Sequence, residues 1–219
     1  MPARCSRRPG ISPRSSAVVL DAFEESLRLR RDLATQNPAR HTPDLAQSLN
    51  GLGASLRDLG RHQQALDAFQ EAVGLRRDLA TQNPARHTPD LAQSLNNLGA
   101  SLRDLGRHQQ ALDAFQEAVG LRRDLATQNP ARHTPDLAQS LHNLAIALCG
   151  LGRHDEELEL RTEVVVRWRI LARRDPDQHQ DTYQREQDRL AGHFARHYRE
   201  PDAARRVEED LAHRLGLET

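Results

Sequence analysis

Residues His41 to Arg86 read HTPDLAQSLNGLGASLRDLGRHQQALDAFQEAVGLRRDLATQNPAR, and His87 to Arg132 repeat that string with one change, Gly51 becoming Asn97. Working outward from these twin copies, a diverged third starts at His133 with HTPDLAQSLHNLAIALCGLGRH, and a weaker fourth begins near His179. Upstream, LDAFEESLRLRRDLATQNPAR (Leu20 to Arg40) matches only the second half of a unit. A period of 46 residues thus organises the chain. It holds about four and a half units, which points to a repeat array and away from a fold with one centre.

Each unit reads as two helices. Leu91, Leu95, Leu98, Leu102 and Leu105 recur at spacings of four and three, one stripe of a helix. Thr88 fits an N-cap, Pro89 the first helical position and Gly106 a left-handed closure, so the first helix is expected over about Pro89 to Leu105. Ala111, Leu112, Phe115, Ala118, Val119 and Leu125 trace a second stripe, expected over about Gln109 to Gln128 and ended by Asn129-Pro130. Gly120 lies inside it without being required, since Arg28 and Val166 occupy the matching positions. Two such helices cannot bury both stripes alone, so the expected fold is all-α, a solenoid of stacked antiparallel pairs.

These residues resemble a tetratricopeptide repeat. The second unit offers Leu95, Leu98-Gly99, Leu102, Gly106, Ala111, Phe115 and Ala118 in that family's order, and the first offers Leu49, Leu52-Gly53, Leu56, Gly60, Ala65, Phe69 and Ala72. The unit is longer than the usual 34 residues, and PDLAQSLNNLG is similar to the kinesin light chain type. The likeness covers residues 17 to 215: a half unit 17–40, units 41–86, 87–132 and 133–178, and a degenerate unit 179–215. A basic leader, 1–16, and a short tail, 216–219, flank it. In the third unit Glu157 and Arg161 replace the small residue and the aromatic, at a spacing that allows pairing across one helical turn. In the fourth, Leu190-Ala191, Phe194, Ala203 and Val207 keep the apolar pattern and Tyr198 replaces the turn glycine, while Glu208, Glu209 and Asp210 suggest a polar cap on a last helix over Asp202 to Arg214.

The resemblance implies a superhelix whose first helices line a concave groove that binds a peptide or protein segment without catalysis. Residues off the apolar stripe are the expected groove set: Gln47, Asn50, Gly51, Ala54, Arg57 and Asp58 in the first unit. The second supplies Gln93, Asn96, Asn97, Ala100, Arg103 and Asp104, and the third Gln139, His142, Asn143, Ile146 and Cys149. Carboxamides both donate and accept, so they suit pairing with a peptide backbone of any sequence. Asn97 and Asn143 would be rungs of the asparagine ladder the resemblance implies, with Gly51 a missing rung. Arg57 and Arg103 adjoin Asp58 and Asp104, a mixed-sign surface that does not single out C-terminal carboxylates.

Composition narrows the function further. All 31 basic residues are arginine and balance 31 acids. A chain without lysine has no phosphate-loop lysine, Schiff-base lysine or kinase lysine. No stretch approaches a membrane span, no apolar secretion signal opens the chain, and two cysteines form no disulfide framework, so a cytoplasmic location is expected. His193 and His197, four apart, lack a third metal ligand and read as solvated helix histidines. Cys149 reads as a small packing residue, and Asp155, Glu156, Glu157 and Glu159 as acids placed for the helix dipole. Arg4, Arg7, Arg8 and Arg14 sit in a Pro- and Ser-rich arm read as disordered, and scarce aromatics argue against nucleic acid. No cofactor, metal, membrane or nucleic-acid partner is expected, and no catalytic residue. The alternative is a structural or regulatory solenoid that self-associates through the half repeat, where Val18, Val19 and Phe23 are expected to be exposed, or that belongs to a larger signalling protein.

Overall fold

Asn37, Asn83, Asn129 and Asp175 set the period. Each is a single non-helical residue between two helices, and its side-chain oxygen accepts the backbone N–H three residues on, at 3.2 to 3.3 Å. In all four cases a proline follows as the first helical residue, where no N–H is missed. The computed structural model describes residues 13–197 and 203–214, with side chains from Glu25 onward except at 131, 197, 203 and 205. Among these, all regular structure is helical: α1 (Pro13–Gln36), α2 (Pro38–Asp58), α3 (His62–Gln82), α4 (Pro84–Asp104), α5 (His108–Gln128), α6 (Pro130–Gly150), α7 (His154–Arg174), α8 (Pro176–His197) and α9 (Ala203–Arg214).

One whole unit is a 21-residue helix, a three-residue link, a second 21-residue helix and the single capping residue. The first helix of the unit therefore starts at Pro84, five residues before the expected Pro89, and Thr88 is not its cap. The third unit shows why: the hydroxyl of Thr134, the counterpart of Thr88, donates back to Pro130 O at 2.6 Å from within the helix. Pro89 then occupies the second turn, where it removes one ladder bond without stopping the helix. At the other end, Gly106 adopts φ 73°. Its N–H donates to Arg103 O and that of Arg107 to Leu102 O, both at 2.9 Å, which closes the helix as expected. Gly60 and Gly152 repeat this conformation; Tyr198 lies outside the described residues.

The chain divides into two compact units, Met1–Leu75 and Arg76–Thr219. In the first, α1 packs on α2, and Leu45, Leu49, Leu52, Leu56, Leu66 and Phe69 are buried. Helix α1 is already formed at Pro13, within the span expected to be leader; residues 1–12 lie outside those described. Arg31 reaches Glu71 at 2.6 Å, joining α1 to α3.

In the second, α4 to α8 pack each on the next, α4 also meets α6, and α9 lies on α7 and α8. The repeat writes its ties twice more here, with Arg77–Glu117 and Arg123–Glu163 both at 2.6 Å. A second series joins the second helix of one unit to the first helix of the next: Arg76 of α3 pairs with Asp90 of α4, and Arg122 of α5 donates to Asp136 O of α6.

Gly99 is where packing is tightest. A Cβ there would lie 2.7 Å from Cε1 of Phe115, a ring with no exposure, and Gly53 stands in the same relation to Phe69. The third unit carries Ala145 in place of this glycine, and Arg161 in place of the ring. Arg161 Nε donates to Glu157 Oε1 at 2.6 Å, the pairing expected from their spacing. Beyond it, Val165, Leu190, Phe194 and Ala204 form a core cluster with Ala191 and Val207 against it. Glu208 is not part of a polar cap: it is buried and accepts from Tyr183 Oη and Gln187 Nε2, each at 3.2 Å. Glu209 and Asp210 are exposed, as a cap requires.

Two glycine substitutions should therefore differ in sign. Gly99→Ala forces the Phe115 ring to move and should cost about 1–2 kcal/mol net of the gain in helix propensity. Gly120→Ala adds a Cβ with nothing within 4 Å and should stabilise by up to about 1 kcal/mol. Thermal unfolding followed by circular dichroism measures both; a neutral Gly99→Ala would show that the ring has room.

Candidate functional site

The expected groove residues lie on first helices, and the structure sorts them by what their side chains already hold. On α4, Gln93 is exposed, and its Nε2 donates to Asn97 Oδ1 at 3.3 Å while its Oε1 accepts from Arg122 Nη2 at 2.8 Å. Asn96 is not a surface residue. It is 5% exposed, and its amide donates to Ser140 Oγ at 2.7 Å and to Ala92 O at 3.1 Å. On α6, Gln139 Nε2 donates to Asn143 Oδ1 at 3.4 Å, and Asn143 Nδ2 donates to Asn96 Oδ1 at 3.3 Å. Carboxamides thus form a continuous chain from Gln139 through Asn143 and Asn96 to Ser140, which fastens α4 to α6. Sequence reasoning put Asn96 beside Asn97 on the open face; the helical turn of about 100° per residue sends it into the seam instead.

Arg103 lies 3.5 Å from the carboxylate of its neighbour Asp104, a local mixed-sign pair. On α2, Gln47 is exposed and Asn50 and Arg57 are half-buried.

The open space lies further along, between α6 and α8. A cavity of about 730 Å³ is lined by His142 and Ile146 of α6, Arg161 of α7 and Asp188, Arg189, Gly192 and Arg196 of α8. A second, of about 450 Å³, shares His142 and Arg189 and adds Ala138, Gln139, Trp168, Thr182, Arg185 and Glu186. Together they make one cleft. His142 Nδ1 stands 3.7 Å from Glu186 Oε2, and Arg189 Nη1 donates to Glu186 Oε1 at 2.5 Å. Burial works to raise the Glu186 carboxyl, but His142 and Arg189 outweigh it and hold it below the usual carboxylate range.

Trp168, the one tryptophan of the chain, was missed by sequence reasoning. The signal was available: Trp168 and Thr182 stand one period on from Arg122 and Asp136, the pair that ties α5 to α6. Where that tie is replaced, an indole lines the cleft.

The seam behind the cleft is polar. Glu157 stands with Asp155 and Glu156 in the first turn of α7, as the dipole role requires, yet it is 1% exposed; His193 is fully buried, so the solvated state given to the histidine does not hold. His193 Nδ1 lies 3.4 Å from Glu157 Oε1, and His154 Nδ1 lies 3.3 Å from Glu157 Oε2. His197's side chain lies outside the described residues. Ligand atoms of Cys149, His154 and Glu157 fall within 4.8 Å of one another. Cys149 is exposed at the end of α6 and is not a packing residue. Burial of its sulfur, then the Glu157 carboxylate, raises its thiol above the ordinary range, the reverse of what a nucleophile needs. No helix among the described residues is long and apolar enough to cross a membrane.

Models described as tetratricopeptide repeat match residues 45–80 and 90–165, together just over half of the chain. The search of curated proteins finds no match. Among solved structures, a Podosopora anserina putative kinesin light chain of nearly identical repeats superimposes with a TM-score of 0.63 at 18% identity, over 90% of this chain and 84% of that one. BtubC (BKLC) from P. vanneervenii gives 0.64 at 15%, over 89% and 72%, and MamA gives 0.52 at 16%, over 91% and 92%. At these identities the likeness is one of fold. With helix pairs in a 46-residue period, a glycine under Phe69 and another under Phe115, and both family matches covering these units, the chain belongs to the tetratricopeptide repeat family, and its fold is like that of kinesin light chain repeats.

Proposed function

We propose that this protein is a non-catalytic interaction module that takes a peptide or protein segment along its first helices, with the α6–α8 cleft as the anchoring site. Tetratricopeptide repeats are protein-interaction and scaffold modules, and one observation carries the finer reading. The cleft combines an apolar and aromatic wall, Ile146 and Trp168, with cations from Arg185, Arg189 and Arg196 and the acids Glu186 and Asp188. Such a lining suits an extended segment that buries one side chain and pairs its polar neighbours. Gln93, Asn97, Gln139 and Asn143 continue the polar face along α4 and α6, and Gln47, Asn50 and Arg57 offer the corresponding positions on α2. Asn96 serves by holding α4 to α6 and is withdrawn from the contact set.

A second reading, self-association through the half repeat, is favoured by Leu29 and Leu33 on α1, 52% and 43% exposed, where the third-unit and second-unit counterparts of Leu33, Leu171 and Leu125, are buried. Val18, Val19 and Phe23 lie outside the described side chains.

Panning a random linear-peptide library on the full chain, followed by Trp168 fluorescence titration, tests the main reading. Selected peptides should shift the emission and lose at least about tenfold in affinity in Arg189→Ala; peptides that bind that variant as well as the parent would place the site elsewhere. Gly51→Asn, which restores the missing rung, should tighten selected peptides held on α2, and unchanged affinity for all of them would show that the Gly51/Asn97 difference is silent. Light scattering of Leu33→Glu against the parent tests the second reading: only an assembling parent loses mass on substitution. Because the carboxyl of Glu186 is depressed in the folded chain, its contribution to stability is present above the ordinary carboxylate range and disappears as pH falls through that depressed value. The melting temperature of Glu186→Gln should accordingly fall less steeply with acid than that of the parent.

A further inference from the structure

Four departures from the repeat converge on one place. Relative to the second unit, Arg103 becomes Cys149, Ala111 becomes Glu157 and Phe115 becomes Arg161, and the fourth unit brings His193 where the third has Ala147. His154 is the ordinary repeat histidine, the counterpart of His108, and its ring already stood at this turn. Scattered drift would spread ligand-type side chains over the surface of the array. Here a thiol, an imidazole and a carboxylate are brought within 4.8 Å of one another at the three-residue link between α6 and α7, with a second imidazole on the far oxygen of the carboxylate.

We propose that Cys149 Sγ, a ring nitrogen of His154 and Glu157 Oε2 form a binding site for a zinc-class divalent ion. Ligands at about 2.0–2.3 Å from such an ion stand roughly 3.3–3.8 Å apart along the edges of a tetrahedron. The 3.3 Å between His154 Nδ1 and Glu157 Oε2 meets that separation before any ion is bound. The donor set is one sulfur, one nitrogen and one oxygen, which favours zinc over magnesium or calcium. Arg161 and His193 both address Oε1, at 2.6 and 3.4 Å. They fix the carboxylate through Oε1 and leave Oε2 on the His154 ring, the orienting role that outer partners play around metal ligands. Access is provided by the exposed Cys149 and the half-buried His154, while Glu157 forms the closed floor. On binding, the thiol proton is released to solvent and the ion takes its place on sulfur. The ion would pin the end of α6 to the first turn of α7, at the same link that in the other units is closed by glycine alone.

Cobalt(II) titration of the full chain in a Cys5→Ser background tests this, because only Cys149 can then give a thiolate-to-cobalt charge-transfer band. The expected result is one ion per chain, displaced by zinc, with the band absent in Cys149→Ser and affinity at least about tenfold weaker in His154→Ala and in Glu157→Gln. Zinc should also raise the melting temperature of the parent and leave that of Cys149→Ser unmoved, which keeps the site testable if Glu157→Gln folds poorly. The proposal is overturned by the lack of a band in the parent, by a band that survives in Cys149→Ser, or by equal zinc stabilisation of the two chains. The peptide-binding reading stands or falls separately, since none of these measurements uses a peptide.

Discussion

The reversal at a single capping residue is the constraint on which the array rests. After one non-helical residue the next helix packs back on the one before, α2 on α1, α6 on α5 and α8 on α7, and their apolar stripes meet. The side chain of Asn37, Asn83, Asn129 or Asp175 makes that reversal tolerable by satisfying a backbone N–H that would otherwise lose its partner. A following proline costs nothing at that position. The other end of α2, α4 and α6 is fixed by a left-handed glycine. Helix lengths, and with them the register of every contact, follow from these two punctuation marks.

Because the backbone is set by its links, the interior has been free to change chemistry. In the second unit the space between helices is filled by Phe115 lying on Gly99, an apolar fit with no slack. One period later the same space holds Glu157, Arg161 and His193, and the helices keep their lengths. A buried ion pair contributes less to stability than a packed ring of similar size, so its presence there is not explained by stability alone. Trp168 in the place of Arg122 is a second change of this kind, and it opens a lined cleft where the other units have a tie.

Much of this was legible in the sequence. The period, the pairing of helices, the closing glycines and the Glu157–Arg161 contact all follow from spacing, because they are local or repeat in one dimension. The helix start was misplaced because Thr88-Pro89 and Asn83-Pro84 carry the same cap-then-proline signature, and only the hydrogen bonds decide between them. Asn96 and His193 were assigned to the surface for a different reason. Polar type suggests solvent, but Asn96 meets Ser140 44 positions away and His193 meets Glu157 36 positions away, contacts that arise only when the units stack. Trp168 went unnoticed because its meaning lies in comparison with Arg122, the residue it replaces.

A unit made of two 21-residue helices, a three-residue link and one cap contains no spare residue. Adding or removing a single amino acid inside a helix would turn everything beyond it by about 100° and point its stripe at solvent. Length in such a chain is therefore quantised: it changes safely by whole periods, as the twin copies at His41 and His87 illustrate, while small insertions find refuge only at the links.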